Sequence, residues 1–304
     1  MKRHAFPLAV TAVVTSLILS GCGDDDPTDN ADDPASTPAS ETSDASPTET
    51  TSASEEPTES ETTGGTAETV SVPVYFVADT PRGPRLFAEQ REVEADNPLE
   101  EAAALMVAGD AMDPDYGTLF PDGGGFESIE YDGEKFVVTL SDDGWNTPAP
   151  GMTKSEAKLA VQQLVYTLQG VEGVEAPIIV LPSGMLFGDA PVVGAADELS
   201  TRALVNVLSP AEGATVSGTF TASGEASSFE ATVPWEVRDE AGEAVLTGFA
   251  TAEGWLDGLY PWQSEVDVSE LAPGTYTFVA MTDDPSGGAE GAGPTEDTKT
   301  IVVE

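Results

Sequence analysis

The strongest restriction on what this chain can fold into is a stretch that cannot fold at all. Between Gly23 and Glu68 the sequence is almost entirely Asp, Glu, Ser, Thr, Pro, Ala and Gly, with no lysine, arginine, aromatic residue or aliphatic residue larger than alanine. Such a segment buries too little apolar surface to offset the entropy of ordering its backbone, so it is expected to stay disordered. As a flexible coil, its 46 residues have an end-to-end distance of roughly 35–40 Å. Its 14 carboxylates, with no cation among them, stretch it further. Residues 22–68 therefore read as a tether, and the folded part is confined to residues 69–304.

Ahead of the tether, Met1-Lys2-Arg3-His4 is a basic leader, Ala5 to Leu19 an apolar run, and Leu19-Ser20-Gly21 a set of small residues. That is the pattern of a signal peptide over residues 1–21. The run is short for a span of about 20 residues and is followed by acid, so a retained transmembrane helix is the poorer reading. Leu-Ser-Gly-Cys at 19–22 resembles the lipobox of bacterial lipoproteins, which implies that Cys22 takes a diacylglyceryl thioether and becomes the first residue of the mature chain. Each buried methylene of an acyl chain contributes about 0.8 kcal/mol, and two or more chains hold durably. The expected location is the extracytoplasmic face of the cell membrane, held by lipid. A free thiol after ordinary cleavage is the alternative, and a secreted chain seldom keeps one.

Cys22 is the only cysteine and His4 the only histidine. Processing as described removes both from chemistry, leaving no thiolate nucleophile, imidazole base or Cys/His metal ligand. The net charge of −44, from 55 acids against 11 bases, repels a phosphate backbone, and nucleic acid is excluded as a partner. Solubility or adaptation to a salty medium explains the acids more simply than an acid-specific ligand.

From Thr69 the chain gains apolar pattern. "TVSVPVYFV" (69–77) and "LFAEQREVE" (86–94) read as strands, and "NPLEEAAALMVAG" as a helix with Asn97 capping, Pro98 at the first position, Glu100 returning the capping-box bond and Gly109 stopping it. "FESIEYDGEKFVVTLS" (126–141) reads as two strands joined at Asp132-Gly133. "TKSEAKLAVQQLVYTLQG" is a second helix, capped by Thr153 with Glu156, carrying Leu159, Gln163, Val165, Tyr166 and Leu168 for burial and ending at Gly170. "VEAPIIVL" (174–181) closes the unit as a central strand. The order β-β-α-β-β-α-β predicts an α+β domain over 69–195. Beyond "AADELSTRA" only strand-like runs remain, seven in about 100 residues, which predicts an all-β immunoglobulin-like sandwich over 203–304. Trp235, Phe249, Tyr276 and Phe278 are its expected bulky fillers.

The stretch from "VPVYFV" to "VEAPIIVLPSG" resembles the GerMN domain, named after a spore-germination lipoprotein and found also in envelope lipoproteins. "SPAEGATV", "SGEASSFEATVPWEV" and "GTYTF", in that order, resemble the immunoglobulin-like spore-germination domain that often accompanies it. Together the two resemblances cover about three quarters of the chain. They imply extracytoplasmic interaction modules rather than enzymes, and they supply no catalytic residues. The partner they imply is another envelope protein or a wall component.

Several patterns are weaker than they look. Ser155 and Lys158 match the Ser-x-x-Lys of penicillin-recognising enzymes, but "SDDG" and "KTI" do not complete the set, and a helix start explains the tetrapeptide. Acid pairs such as Asp142-Asp143 and Asp283-Asp284 are commonplace in so acidic a chain, and a glycosidase needs its pair held in a cleft. "TDDPSGGAEGAGPTED" (282–297) lacks the spacing of a calcium loop, and "PDGGGF" lacks the lysine of a phosphate loop. No cofactor or metal is assigned. "GWLDGLYPWQ" gathers Trp255, Tyr260 and Trp262, residue types that anchor binding surfaces and stack on sugars. These three are the candidate binding residues. The expected function is envelope docking without catalysis; the alternative is wall-carbohydrate binding or a carboxylate-dependent glycan hydrolase.

Overall fold

The structure, a computed structural model, describes residues 68–286, 289 and 291–304. The leader, Cys22 and the tether up to residue 67 lie outside the described residues.

Two long strands, β1 (Thr69–Thr80) and β2 (Gly83–Glu94), pair antiparallel without a slip from Thr69 opposite Glu94 to Thr80 opposite Gly83. Each outruns its predicted length, because the hairpin closes through Pro81-Arg82 alone, with Gly83 at φ 89°. The Thr80 hydroxyl holds this turn, donating to the Gly83 carbonyl at 2.7 Å and accepting from the Arg82 N–H at 3.1 Å. Next come α1 (Pro98–Ala108), β3 (Phe126–Tyr131), β4 (Phe136–Leu140), α2 (Lys154–Glu172), β5 (Ile178–Leu181) and the short β6 (Val192–Val193). The last four strands form one sheet in the order β3-β4-β5-β6, with β4 and β5 parallel. Phe76 of β1, Met106 of α1, Leu164 and Leu168 of α2, and Phe136 and Ile178 of the sheet fill one core and are fully buried. Each such side chain contributes about 1.5–3 kcal/mol by leaving water.

Helix ends follow local chemistry unevenly. Thr153 and Glu156 form the expected capping box, with the Glu156 N–H donating to Thr153 Oγ1 and the Thr153 N–H to Glu156 Oε2. At α1 the expected box is absent. Glu100 divides its carboxylate between the Ile129 N–H of β3 and the side-chain amide of Asn97, instead of accepting from the Asn97 backbone N–H. Nor does α2 stop at Gly170; it runs to Glu172 and ends on Gly173 in the left-handed region. Gly170 serves packing instead, since a Cβ there would sit 2.6 Å from Pro73 Cγ. Leu159 and Tyr166 face a smaller cluster made by Tyr75, Leu86 and Ala88.

The one-turn helix α3 (Glu198–Thr201) leads into β7 (Val205–Ser209), β8 (Ala214–Val216), β9 (Thr219–Ala226), β10 (Thr232–Arg238), β11 (Ala244–Thr251), β12 (Tyr260–Asp267), β13 (Gly274–Met281) and β14 (Glu296–Val303). Eight strands replace the seven expected, because the run 215–224 is broken at Gly218, whose φ is 60°. They form two facing sheets, β12-β9-β7 and β11-β10-β13-β14-β8, with only β14 and β8 parallel. Trp235 and Phe278 fill the core as expected, and Tyr276 is half-buried against it. Phe249 is a correction, being 68 % exposed. On β11 the inward positions are Leu246, Gly248 and Ala250, and Gly248 is bare because the Trp235 ring occupies its Cβ direction, 2.3 Å away. Trp262 supplies core volume in place of Phe249.

The two modules lie in one compact unit and meet along a polar seam. Asn206 of β7 imitates a neighbouring strand, its Oδ1 accepting from the Ala88 N–H at 2.7 Å and its Nδ2 donating to the Ala88 carbonyl at 3.2 Å. Beside it Lys299, 3 % exposed, donates to Asp113 Oδ2 (2.6 Å), the Tyr116 hydroxyl (2.7 Å) and Asp297 Oδ1 (3.2 Å). Asp297 also accepts from Tyr116, the Asn206 amide and the Val207 N–H. Burial works against the Lys299 ammonium, but the Asp297 and Asp113 carboxylates outweigh it and raise the pKa. Burial, and then the Asp297 charge, push the Tyr116 phenol well above its ordinary value. Arg202, stacked on Tyr75 and Tyr166 and paired with Glu198 and Glu225, completes the seam.

Candidate functional site

The three candidate binding residues part company in the fold. Trp262 alternates inward on β12 and is 3 % exposed; it belongs to the core, and its indole N–H has no hydrogen-bond partner. Tyr260 is half-buried at the start of the same strand, its hydroxyl donating to Asp257 Oδ1 at 2.7 Å. That bond raises the phenol's pKa. Trp255 alone of the three presents an indole to the surface, at 37 % exposure.

Trp255 has neighbours that no sequence spacing announced. Phe229, 26 residues earlier, meets it edge to face with ring centroids 5.3 Å apart and 72° between planes. Leu256, 72 % exposed, and Phe229, 42 % exposed, flank it. The backbone beneath is strained. Glu230, Ala231 and Leu256 have φ of 51°, 60° and 85°, a region costing an L-residue about 1–2 kcal/mol. Tertiary bonds hold the arrangement: the Leu256 N–H donates to Ser227 Oγ, and the Leu259 N–H to Glu198 Oε1 on the connecting helix α3. Gly254 is required here, because a Cβ would enter the Tyr260 ring at 2.7 Å. The result is an apolar knuckle at one end of the sandwich. Nothing around Phe229, within "SSFEATV", marks it as a surface residue.

The other patterns resolve locally. Ser155 and Lys158 share no hydrogen bond and lie side by side on the lining of a groove at the start of α2. Asp142 and Asp143 line a hollow of about 720 Å³ with Glu127. Both already accept bonds within their own loop, from Gly144, Ser141 and Asn146. Asp284 accepts from Ser286 in the same way. Among the described residues no three His, Cys, Asp or Glu side chains converge as a metal-binding group, and no helix is long and apolar enough to cross a membrane.

Fold and surface together define a two-module protein, an α+β unit joined through a buried polar seam to an immunoglobulin-like sandwich that carries an exposed aromatic knuckle. Both modules have a family. Residues 73–179 match the family described as sporulation and spore germination, and residues 204–289 the immunoglobulin-like domain of bacterial spore germination, so the chain carries one domain of each. No curated protein matches the chain. Among solved structures it is similar to the tandem GerMN domains of the sporulation protein GerM from Bacillus subtilis, at 16% identity over 67% of this chain and 63% of that one, with a TM-score of 0.33. A lytic polysaccharide monooxygenase from Jonesia denitrificans matches at 15% identity over 31% and 60%, with a TM-score of 0.21. An endo-beta-1,4-mannanase from Thermotoga petrophila matches at 12% over 51% and 36%, with a TM-score of 0.26. The chain thus spans less than two thirds of each of these structures, and the scores are too low to carry an argument from them to this protein.

Proposed function

We propose that the protein is a non-catalytic interaction module of the cell envelope, anchored by acyl chains on Cys22, which docks an envelope protein through the knuckle of Phe229, Trp255 and Leu256. The observation that carries this reading is the knuckle itself. Three large apolar side chains are held in water on a backbone bent against its preference, and retained strain of this kind clusters at binding sites. Tryptophan in such a setting is a typical anchor of protein interfaces. The two spore-germination domains support a docking role.

The test is photocrosslinking in cells from position 229 of the full-length chain. A defined envelope protein is expected, with capture falling about tenfold or more on Trp255→Ala, the loss of one hot-spot anchor. Membrane-anchored protein that captures nothing overturns the reading. Mass spectrometry of the mature amino terminus checks the anchor; an unmodified Cys22 removes it. A second reading, wall-glycan binding, draws on the exposed Trp255 ring, since tryptophan faces stack on sugars. It predicts that purified wall fragments bind and that Trp255→Ala abolishes binding; release of soluble sugar would point instead to hydrolysis.

A further inference from the structure

Positive charge is scarce in this protein, and its distribution is uneven. Of the 11 lysines and arginines, Lys2 and Arg3 lie outside the described residues, leaving nine. Five of these are in ion pairs: Arg91 with Glu89 and Asp110, Lys135 with Asp132, Arg202 with Glu198 and Glu225, Arg238 with Glu236 and Glu296, and Lys299 with Asp113 and Asp297. Among the described residues the cations without a carboxylate partner are Arg82, Arg85, Lys154 and Lys158. Three of them line one groove, and the fourth, Lys154, borders the hollow beside it.

Arg82 and Arg85, at the tip of the β1-β2 hairpin, and Lys158, on the second turn of α2, line a groove of about 550 Å³. Lys158 also borders an adjoining hollow of about 350 Å³ with Lys154. The carboxylates on these linings are Glu156 and Asp189. Glu156 is committed to the Thr153 cap, which lowers its pKa. Burial, and then the charge of Arg82, lower the pKa of Arg85, so two like charges sit together at the hairpin tip, and Glu156 is the carboxylate on the groove they line. Four unpaired cations against two carboxylates, along the groove and the adjoining hollow, are a local reversal of the protein's sign. At physiological salt the screening length is about 8 Å. An anion entering the groove therefore feels Arg82, Arg85 and Lys158, together with Glu156, more than the distant acids.

Between the cations the groove is apolar, walled by Pro84, Leu159 and Ala196. Its volume falls within the range of about 300–1,000 Å³ typical of ligand pockets. A polyphosphate would satisfy the cations and leave those walls unused, whereas a peptide alternating carboxylate and aliphatic side chains would use both. Arginine forks suit carboxylates as well as phosphates, so the apolar walls decide between them. We propose that this groove binds an extended acidic-aliphatic segment of the protein partner. The inference rests on the docking reading above and supplies the chemistry of the partner's contact.

The test is a fluorescence-anisotropy titration of the full-length chain with a labelled eight-residue peptide of alternating Glu and Leu. The Gln/Leu peptide and inorganic polyphosphate serve as comparisons. Saturable one-to-one binding is expected, weakening steeply with salt and falling about tenfold or more in Arg82→Glu and again in Lys158→Glu. Lys135→Glu, remote and already paired, should leave it unchanged. No saturable binding, equal binding of the Gln/Leu peptide, tighter binding of polyphosphate, or indifference to the two charge reversals would each overturn the proposal. So would photocrosslinks from position 155 to residues 23–68 of the same chain, which would assign the groove to the protein's own acidic segment. Failure in this assay while position 229 still captures a partner removes the groove alone; capture lost with peptide binding intact removes the docking role of the knuckle.

Discussion

Lys299 in the seam and Arg82 in the groove are both cations in a chain of net charge −44, and they live under opposite rules. Lys299 is buried, hydrogen-bonded to three groups and flanked by two carboxylates. Arg82 is exposed and has no ion pair, with a second arginine nearby. A charge taken out of water must be matched by partners; one left in water need not be. The seam therefore uses its cation to hold the modules together, and the groove keeps its cations available for something else.

The sharpest way to break this comparison is Lys299→Met. It leaves Asp113 and Asp297 facing each other without a cation, and removing one member of a buried ion pair typically costs about 3–5 kcal/mol. Urea denaturation of the full-length chain measures it, and converting both aspartates to asparagine as well should recover part of the loss. A cost below about 1 kcal/mol would mean that the seam is no more demanding than an exposed ion pair.

Alkali probes the same cluster more gently. Lys299 and Tyr116 both have folded-state pKa values above their ordinary 10.5 and 10.0. The folded chain therefore holds more protons than the unfolded one above about pH 10, and stability must fall there as pH rises. The contribution is complete below that point and is lost as pH passes through the folded-state values. Tyr116→Phe should flatten the decline, and in the tyrosinate absorbance of the native protein it should remove one of the late-titrating phenols, which include Tyr75, Tyr166 and Tyr260 as well.

The smallest expected effect belongs to the groove. Arg82→Ala removes an exposed, unpaired side chain and should change stability by no more than about 0.5 kcal/mol in the same denaturation experiment. A large loss would show Arg82 to be a structural residue, and the contrast with Lys299 would disappear.

Much of the architecture was legible because it follows local rules. β-Branched and aromatic residues marked β1, alternation marked β2, Asp132-Gly133 marked the β3-β4 turn, and Thr153-x-x-Glu156 marked the start of α2. The failures came where a distant residue intervened. Glu100 gave one carboxylate oxygen to Ile129 and did not close the capping box, Gly170 was spent on Pro73 rather than on ending a helix, and Phe249 yielded its core position because Trp235 already filled the space over Gly248. The candidate site was legible by one residue in three as a surface group. Composition pointed to Trp255, Tyr260 and Trp262 alike, and only strand direction sorted the surface ring from the buried one.

By itself the sequence determined that an α+β unit is followed by a run of strands, and that neither a thiol nor an imidazole is available after His4 and Cys22. These are matters of composition and short-range period, which each segment carries within itself. Only the tertiary structure decided which cations are matched and which are left over, and that Phe229 stands against Trp255. Lys299 and Asp113 are 186 residues apart, and a count of charges says nothing about which of them the folded chain brings together.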